Sequence, residues 1–330
     1  MEPFADRAKT NFMGNELHLP HTTTLGYFHS FDPIKKSILK TISYFDIFDF
    51  PLTLEEIKKY IDKADNEETL KISVDQLVEG SFLLNIEGYY IPSFSSSQNI
   101  LKRKEDEKRA RSIESKVKSY SRIISKFPFI ECVCISGSYS KGVLSKDGDV
   151  DYFIITRPGR LWLSRTLLVL FKKVFLFNSR KYFCVNYFID SDHLEIHDKN
   201  LFTVTEISTL IPVYNERLFH QFLIKNKWAL DSMPNLDHDF KKSYPIESAS
   251  KLKALSENIL NGRIGEKLDN FCFRITLKRW KKKFSYFNET DFDLNMRTRK
   301  NVSKHHPQGF QKKVLLALEE RMLKFDSHKI

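Results

Sequence analysis

From position 33 onward the apolar positions recur with helical spacing. Over 34–44, Ile34, Ile38, Leu39 and Ile42 fall on one helical face and predict a helix. Thr53-Leu-Glu-Glu56 reads as a capping box, in which the threonine hydroxyl accepts the Glu56 N–H and the glutamate reaches back. It opens a second helix, to about Asp62. Leu70, Val74, Leu77 and Val78 place a third over 68–79, with Gly80 as its C-cap. Apolar runs at 82–86 and 89–92 around Glu87-Gly88 predict a β-hairpin. Residues 1–32 carry no such period and are rich in Asn, His, Thr and Pro, the pattern of an unstructured tail.

Three helices and a hairpin over 33–93 resemble a winged helix. Many winged helices bind DNA, but the third helix offers Lys71 against Glu67, Glu68, Asp75 and Glu79. A helix that reads DNA needs Lys or Arg for phosphates and base edges, so DNA binding is possible but a docking or structural module is favoured. Within 94–126, residues 100–126 are dense in both charges at helical spacing, with a loose stripe of Ile113, Val117, Ile123 and Ile124. That pattern predicts a solvated connecting helix.

Strands and helices alternate over 127–231. Short apolar, β-branched runs at 132–135 and 150–156 predict two strands, and Arg157-Pro-Gly-Arg160 turns into an apolar helix over 161–177. Arg165, Lys172 and Lys173 interrupt that helix, so it is expected to be buried in protein rather than to span a membrane. A further strand over 181–190, a sheet extension at 194–197, a helix from Leu201 to near Pro212 and a helix over 215–228 complete an α/β core around a mixed sheet. The rest, 232–330, is polar and helix-biased. A linker with Pro234 and Pro245 leads to a long helix over 249–283, with a possible break at Asn261-Gly262, and another helix over 308–325. Basic clusters at 278–283 and 297–306 are read as solvated helix surface before any contact to RNA, a nucleotide tail or an acidic acceptor.

Composition adds limits. At 330 residues, about two or three domains are expected, and 41% hydrophobic content with 28 phenylalanines suffices for real cores. The net charge of +11 suits anionic partners such as nucleotides, nucleic acid or acidic membrane surfaces, and equally suits solubility. Cysteines 132, 134, 184 and 272 form no Cys-x-x-Cys and no disulfide framework, which suggests reduced, buried thiols. The N-terminus lacks the basic start and apolar run of a signal peptide, so the cytoplasm is the expected location. His193 and His197 have i,i+4 spacing, but their segment reads as a turn entering a strand, which disfavours a zinc pair.

The candidate chemistry lies in CVCISGSYSKGVLSKDGDVDYFIIT, residues 132–156. On a pleated segment Asp149 and Asp151 share a face, and two adjacent carboxylates call for a cation such as Mg²⁺. Gly137 lets the backbone approach a phosphate, and the Ser138 N–H and hydroxyl donate to its oxygens. Lys141 is placed to reach a phosphate, although solvent exposure is the stronger reading. A strand, a Gly-Ser turn, an Asp-x-Asp pair and an apolar strand together resemble the nucleotidyltransferase superfamily of DNA polymerase β.

The resemblance implies a nucleotidyltransferase core in which Ser138 contacts a nucleoside triphosphate and Asp149 and Asp151 hold two Mg²⁺ ions. A nucleoside monophosphate would pass to an acceptor hydroxyl on a small molecule, sugar, protein or RNA, releasing pyrophosphate. Superfamily members usually add a third carboxylate from a neighbouring strand. By alternation Cys184, Asn186, Phe188 and Asp190 share a face, and Asn186 stands where that carboxylate is expected. An amide carries no charge and takes no proton at neutral pH, so Asp190 or Glu206 is the expected substitute. Tyr44-Phe-Asp-Ile-Phe-Asp-Phe-Pro-Leu-Thr, Arg157-Pro-Gly-Arg-Leu-Trp, Cys184-Val-Asn-Tyr and Asn200-Leu-Phe-Thr extend the likeness. They are similar to segments of uncharacterised bacterial proteins that join a winged-helix-like region to a nucleotidyltransferase domain. Two alternatives stand beside the enzyme: a weakly active or inactive nucleotide-binding regulator, and a winged-helix nucleic-acid-binding protein.

Overall fold

Two buried faces flank every central strand of the main sheet. In a computed structural model, which describes residues 31–63, 66–236 and 250–326, strand β5 (Asp151–Thr156) is buried throughout. Tyr152 and Ile154 pack into one hydrophobic core, Phe153 and Ile155 into the other. This is why its sequence is a continuous apolar run rather than an alternation. β5 lies in a six-stranded sheet of order β7-β4-β5-β6-β9-β8, with β4 (Ile130–Ser136), β6 (Cys184–Asp190), β7 (Ile211–Tyr214), β8 (Thr298–Arg299) and β9 (Val302–Lys304). β5 and β6 run parallel, joined through α7 (Leu161–Phe175), and the other pairings are antiparallel. The architecture is mixed α/β, with fourteen helices among the described residues.

Ahead of the sheet lie α1 (Pro33–Asp46), β1 (Leu52–Thr53), α2 (Leu54–Tyr60), α3 (Glu67–Glu79), β2 (Leu83–Ile86) and β3 (Tyr89–Pro92). The capping box forms as its spacing requires: Thr53 N donates to Glu56 Oε2 at 3.0 Å, and Glu56 N to Thr53 Oγ1 at 3.3 Å. The hairpin turn has both Glu87 (φ 53°) and Gly88 (φ 80°) in the left-handed region, the pairing that matches strand twist. β1 adds a third, antiparallel strand against β3. The expected tail lies outside the described residues except for 31 and 32. Phe31 packs edge-on against Phe82, and Asp32 caps α1.

These elements do not have a core of their own. Ile38, Leu39, Phe45 and Leu77 belong to the same cluster as Phe153 of β5, Phe222 of α9 (Glu216–Lys225) and Val314 of α14 (Phe310–Asp326). Helix α14 closes the join. Phe310 meets Phe48, and Arg321 Nε donates to Asp46 Oδ2 at 2.7 Å.

Several expectations are corrected. The connecting helix is two helices, α4 (Gln98–Ser112) and α5 (Glu114–Ser125), and Val117 and Ile124 of α5 are buried against the sheet side. Residues 194–197 form no strand. The helix from Leu201, α8 (Leu201–Ser208), stops before Pro212, which instead sits in β7 at the sheet edge, where a missing N–H is tolerated. Beyond α10 (Lys227–Asp231), the long C-terminal helix does break at Asn261-Gly262, as its sequence suggests, into α11 (Lys251–Leu260) and α12 (Arg263–Lys283). The region is not purely helical: after α13 (Glu289–Met296) it gives the sheet β8 and β9. The basic run 297–306 is therefore a hairpin turned inward, in which Arg297 and Lys304 share Asp198 at 2.8 and 3.2 Å. No helix among the described residues is long and apolar enough to cross a membrane.

Arg103 of α4 fastens the first unit to the rest. It is 4% exposed, sits 4.0 Å over the Phe50 ring, and binds Glu56 at 2.6 Å, Glu107 at 3.0 Å and the Pro51 carbonyl. Replacing it with alanine strands the capping-box glutamate. Arg103→Ala is expected to destabilise the chain by about 3 kcal/mol, read as a lower urea midpoint with an unchanged m-value.

Candidate functional site

Strand β4 ends at Ser136, directly opposite Asp151 in the antiparallel register. The chain then turns through Gly137 at φ 69° into α6 (Gly137–Ser140). Glycine is required there for two reasons. The left-handed backbone disfavours other residues, and a Cβ would lie 2.6 Å from Asp151 Oδ2. The turn is thus pressed directly onto a carboxylate that is 1% exposed.

Ser138 follows, 4% exposed, and its Oγ has no hydrogen-bond partner among the described residues. Its carbonyl is occupied, accepting from the N–H groups of Lys141 (3.0 Å) and Val143 (3.2 Å). A buried hydroxyl without a partner is a donor held in reserve.

Asp149 precedes β5 and is half-buried. Val150 donates to the Lys181 carbonyl at 2.9 Å, accepts from Cys184 N at 3.0 Å, and shares a core with Tyr152 and Ile154. The pleat therefore continues through position 150, and Asp149 keeps the parity of Asp151.

Asn186 Nδ2 donates to Asp151 Oδ1 at 3.1 Å and to Cys184 Sγ at 2.9 Å. The expected strand position for a third acidic group is thus beside Asp151, but an amide fills it. The face assignment behind that expectation is corrected by a β-bulge. The ladder passes from Tyr152↔Val185 to Phe153↔Tyr187, leaving Asn186 as the extra residue. Val185 and Phe188 enter one core, Tyr187 and Ile189 face the other, and Asn186 no longer shares a side with Phe188 and Asp190.

Asp190 does not join the site. It pairs with Thr156, five residues along β5 from Asp151, which at about 3.3 Å per residue is roughly 16 Å away. Its carboxylate binds His193 Nδ1 at 2.7 Å. His193 is thereby engaged in a short turn contact, and among the described residues no group of three His, Cys, Asp or Glu is arranged to hold a metal.

Lys141 also departs from expectation. Its side chain is buried, and Nζ donates to Glu206 Oε1 at 2.8 Å and to the Gly137 carbonyl at 3.1 Å. The lysine thus braces the turn from inside. Glu206, on α8, is the other carboxylate brought to this end of the sheet, and its Oε2 is buried with no hydrogen-bond partner among the described residues. Nothing local in the sequence announces the pair, because its members lie on different elements far apart along the chain. Tyr44 of α1 reaches the same place: burial, and then the Glu206 charge, push its phenol well above its usual range.

A small cavity of about 40 Å³ opens beside the site, lined by Ser136, Phe153, Tyr187, Phe202, Glu206 and Lys304. A roomier cleft of about 410 Å³ reaches Tyr139, Lys141 and Gly142, with Arg103, Arg111 and Glu107 on its far wall. All four cysteines are free thiols, three of them buried. Asp149 and Asp151 are the carboxylates able to take a hard cation. Two are enough for Mg²⁺, which usually keeps waters and fills its shell from substrate phosphates. No family model, curated protein or solved structure matches the chain.

Two glycine substitutions separate backbone strain from contact with the carboxylate. Gly142 has φ 83° and nothing within 4 Å of an added Cβ. Gly142→Ala is expected to cost about 1 kcal/mol from strain alone, and Gly137→Ala about 3 kcal/mol because Asp151 must also move. Equal losses in urea denaturation would show that the turn is not held against Asp151.

Proposed function

We propose that the chain is a Mg²⁺-dependent nucleotidyltransferase with a polymerase β-like core, moving a nucleoside monophosphate from a nucleoside triphosphate to an acceptor hydroxyl and releasing pyrophosphate. The carrying observation is the Gly137–Ser138 turn lying against Asp151, with the Ser138 hydroxyl unpartnered. In this reading Gly137 gives a phosphate close access to the backbone, and Ser138 Oγ donates to one of its oxygens. Asp149 and Asp151 would hold Mg²⁺, which supplies neutralisation of phosphate charge and activation of the acceptor hydroxyl. Asn186 is a positioning residue: its N–H fixes the orientation of Asp151 but takes no proton. Lys141, bound to Glu206, supports the turn rather than the phosphate.

The unit at 33–93 is read as a winged-helix-like docking module. Its helix α3 exposes Glu67, Glu68, Asp75 and Glu79 around Lys71, a surface that repels a phosphate backbone. A second reading, a nucleotide-binding regulator with little turnover, is favoured by Asn186 standing beside Asp151 where an acid would accept the acceptor's proton.

Incubation of the chain with Mg²⁺, extract and each α-³²P-labelled triphosphate is expected to transfer label to an acceptor. Asp149→Ala and Asp151→Ala are each expected to reduce that transfer by at least about a hundredfold, and Asn186→Asp to raise it. Metal-dependent triphosphate binding without transfer would select the regulator. Neither binding nor transfer would overturn both.

A further inference from the structure

On the α7 side of the sheet, several basic side chains converge. The Arg165 guanidinium lies 4.6 Å from the Trp280 ring centre and 5.7 Å from Trp162. The His305 ring is 4.9 Å from the same Trp280 and 6.0 Å from Phe284. Lys283, at the end of α12, sits 5.1 Å from Phe284. Lys172 is seven residues beyond Arg165 on α7, two turns along the same face. Arg180 follows in the connection to β6. His305 is tied to the candidate site, since its backbone N–H donates to the Asn186 carbonyl at 3.1 Å.

Neither Arg165, Lys172 nor Lys283 has a carboxylate within ion-pair distance among the described residues, and Arg165 Nε is buried without a partner. The contrast is Arg103, which is flanked by Glu56 and Glu107. The strain of the arrangement shows in its protonation equilibria. Burial pulls Arg165 down to about 10. Burial, followed by the charges of Arg165, Arg180, Lys283 and Lys172, takes His305 down to about 3. Burial also lowers Lys172, with the thiol of Cys184 and the Asp149 carboxylate among the groups opposing it. Holding Arg165 and Lys172 partly desolvated, with no carboxylate at ion-pair distance, is unfavourable unless an anion completes the set. An arginine fork beside ammonium groups suits phosphate oxygens in particular.

We propose that Arg165, Lys172, Lys283 and His305 form a binding site for a phosphate or polyphosphate group, carried by a nucleotide or by a phosphorylated acceptor. The exposed Lys283 and Arg180 leave it open to solvent, while the half-buried Arg165, Lys172 and His305 form its floor. The site does not depend on nucleotidyl transfer, because it uses neither Asp149 nor Asp151 as a ligand.

The test is calorimetric titration of the full chain, without Mg²⁺ and at low salt, with inorganic phosphate, pyrophosphate and ATP. At least one is expected to bind, and Lys172→Ala and Lys283→Ala are each expected to weaken it at least tenfold. Pyrophosphate and ATP competing for one site would identify the polyphosphate of a nucleotide. Inorganic phosphate binding alongside saturating ATP would identify the phosphate of an acceptor. Because both lysine variants relieve repulsion, each is expected to melt no lower than the parent chain in the absence of anion. Absence of binding by all three anions at millimolar concentration, or binding indifferent to both lysine variants, would overturn the proposal.

Discussion

A nearly inaccessible carboxylate held under a glycine turn is the constraint around which this end of the molecule is arranged. Asp151 can sit there only because Gly137 has no side chain and adopts a left-handed backbone. It stays oriented because Asn186, pushed out of the β6 ladder by a bulge, donates to it. The turn itself is braced from below by Lys141, and Lys141 is neutralised by Glu206. Each part is modest alone. Together they fix a carboxylate, a reserved hydroxyl and a close backbone approach within one turn of chain.

That arrangement is linked to the first unit. Tyr44 of α1 feels the Glu206 charge, and one hydrophobic cluster runs from α1 through β5 to α14. The three helices and small sheet at 33–93 thus form part of the wall behind the candidate site.

Much of this was legible in the chain. The helical period of Ile38, Leu39 and Ile42, the Thr53–Glu56 box and the Glu87-Gly88 turn all locate their elements because each signal is local. The Gly-Ser turn and Asp-x-Asp segment were visible for the same reason, although the structure alone shows that Gly137 abuts Asp151. Nonlocal features were hidden. Strict alternation in 183–190 put Asn186 and Asp190 on one face, and a single bulged residue reversed the outcome. Lys141 read as exposed because its neutralising partner lies on α8. Arg297 and Lys304 read as solvated because Asp198, which they share, lies in a different stretch of chain. β8 and β9 were missed because strands so short carry almost no period.

The late hairpin has a consequence for biogenesis. Strand β6 finds its outer neighbour only in β9, which is encoded far downstream. At typical ribosomal speeds several seconds separate their emergence, during which the nascent sheet offers a bare, aromatic-rich flank. Until the C-terminal segment arrives, that flank is an unpaired strand edge open to pairing with another chain.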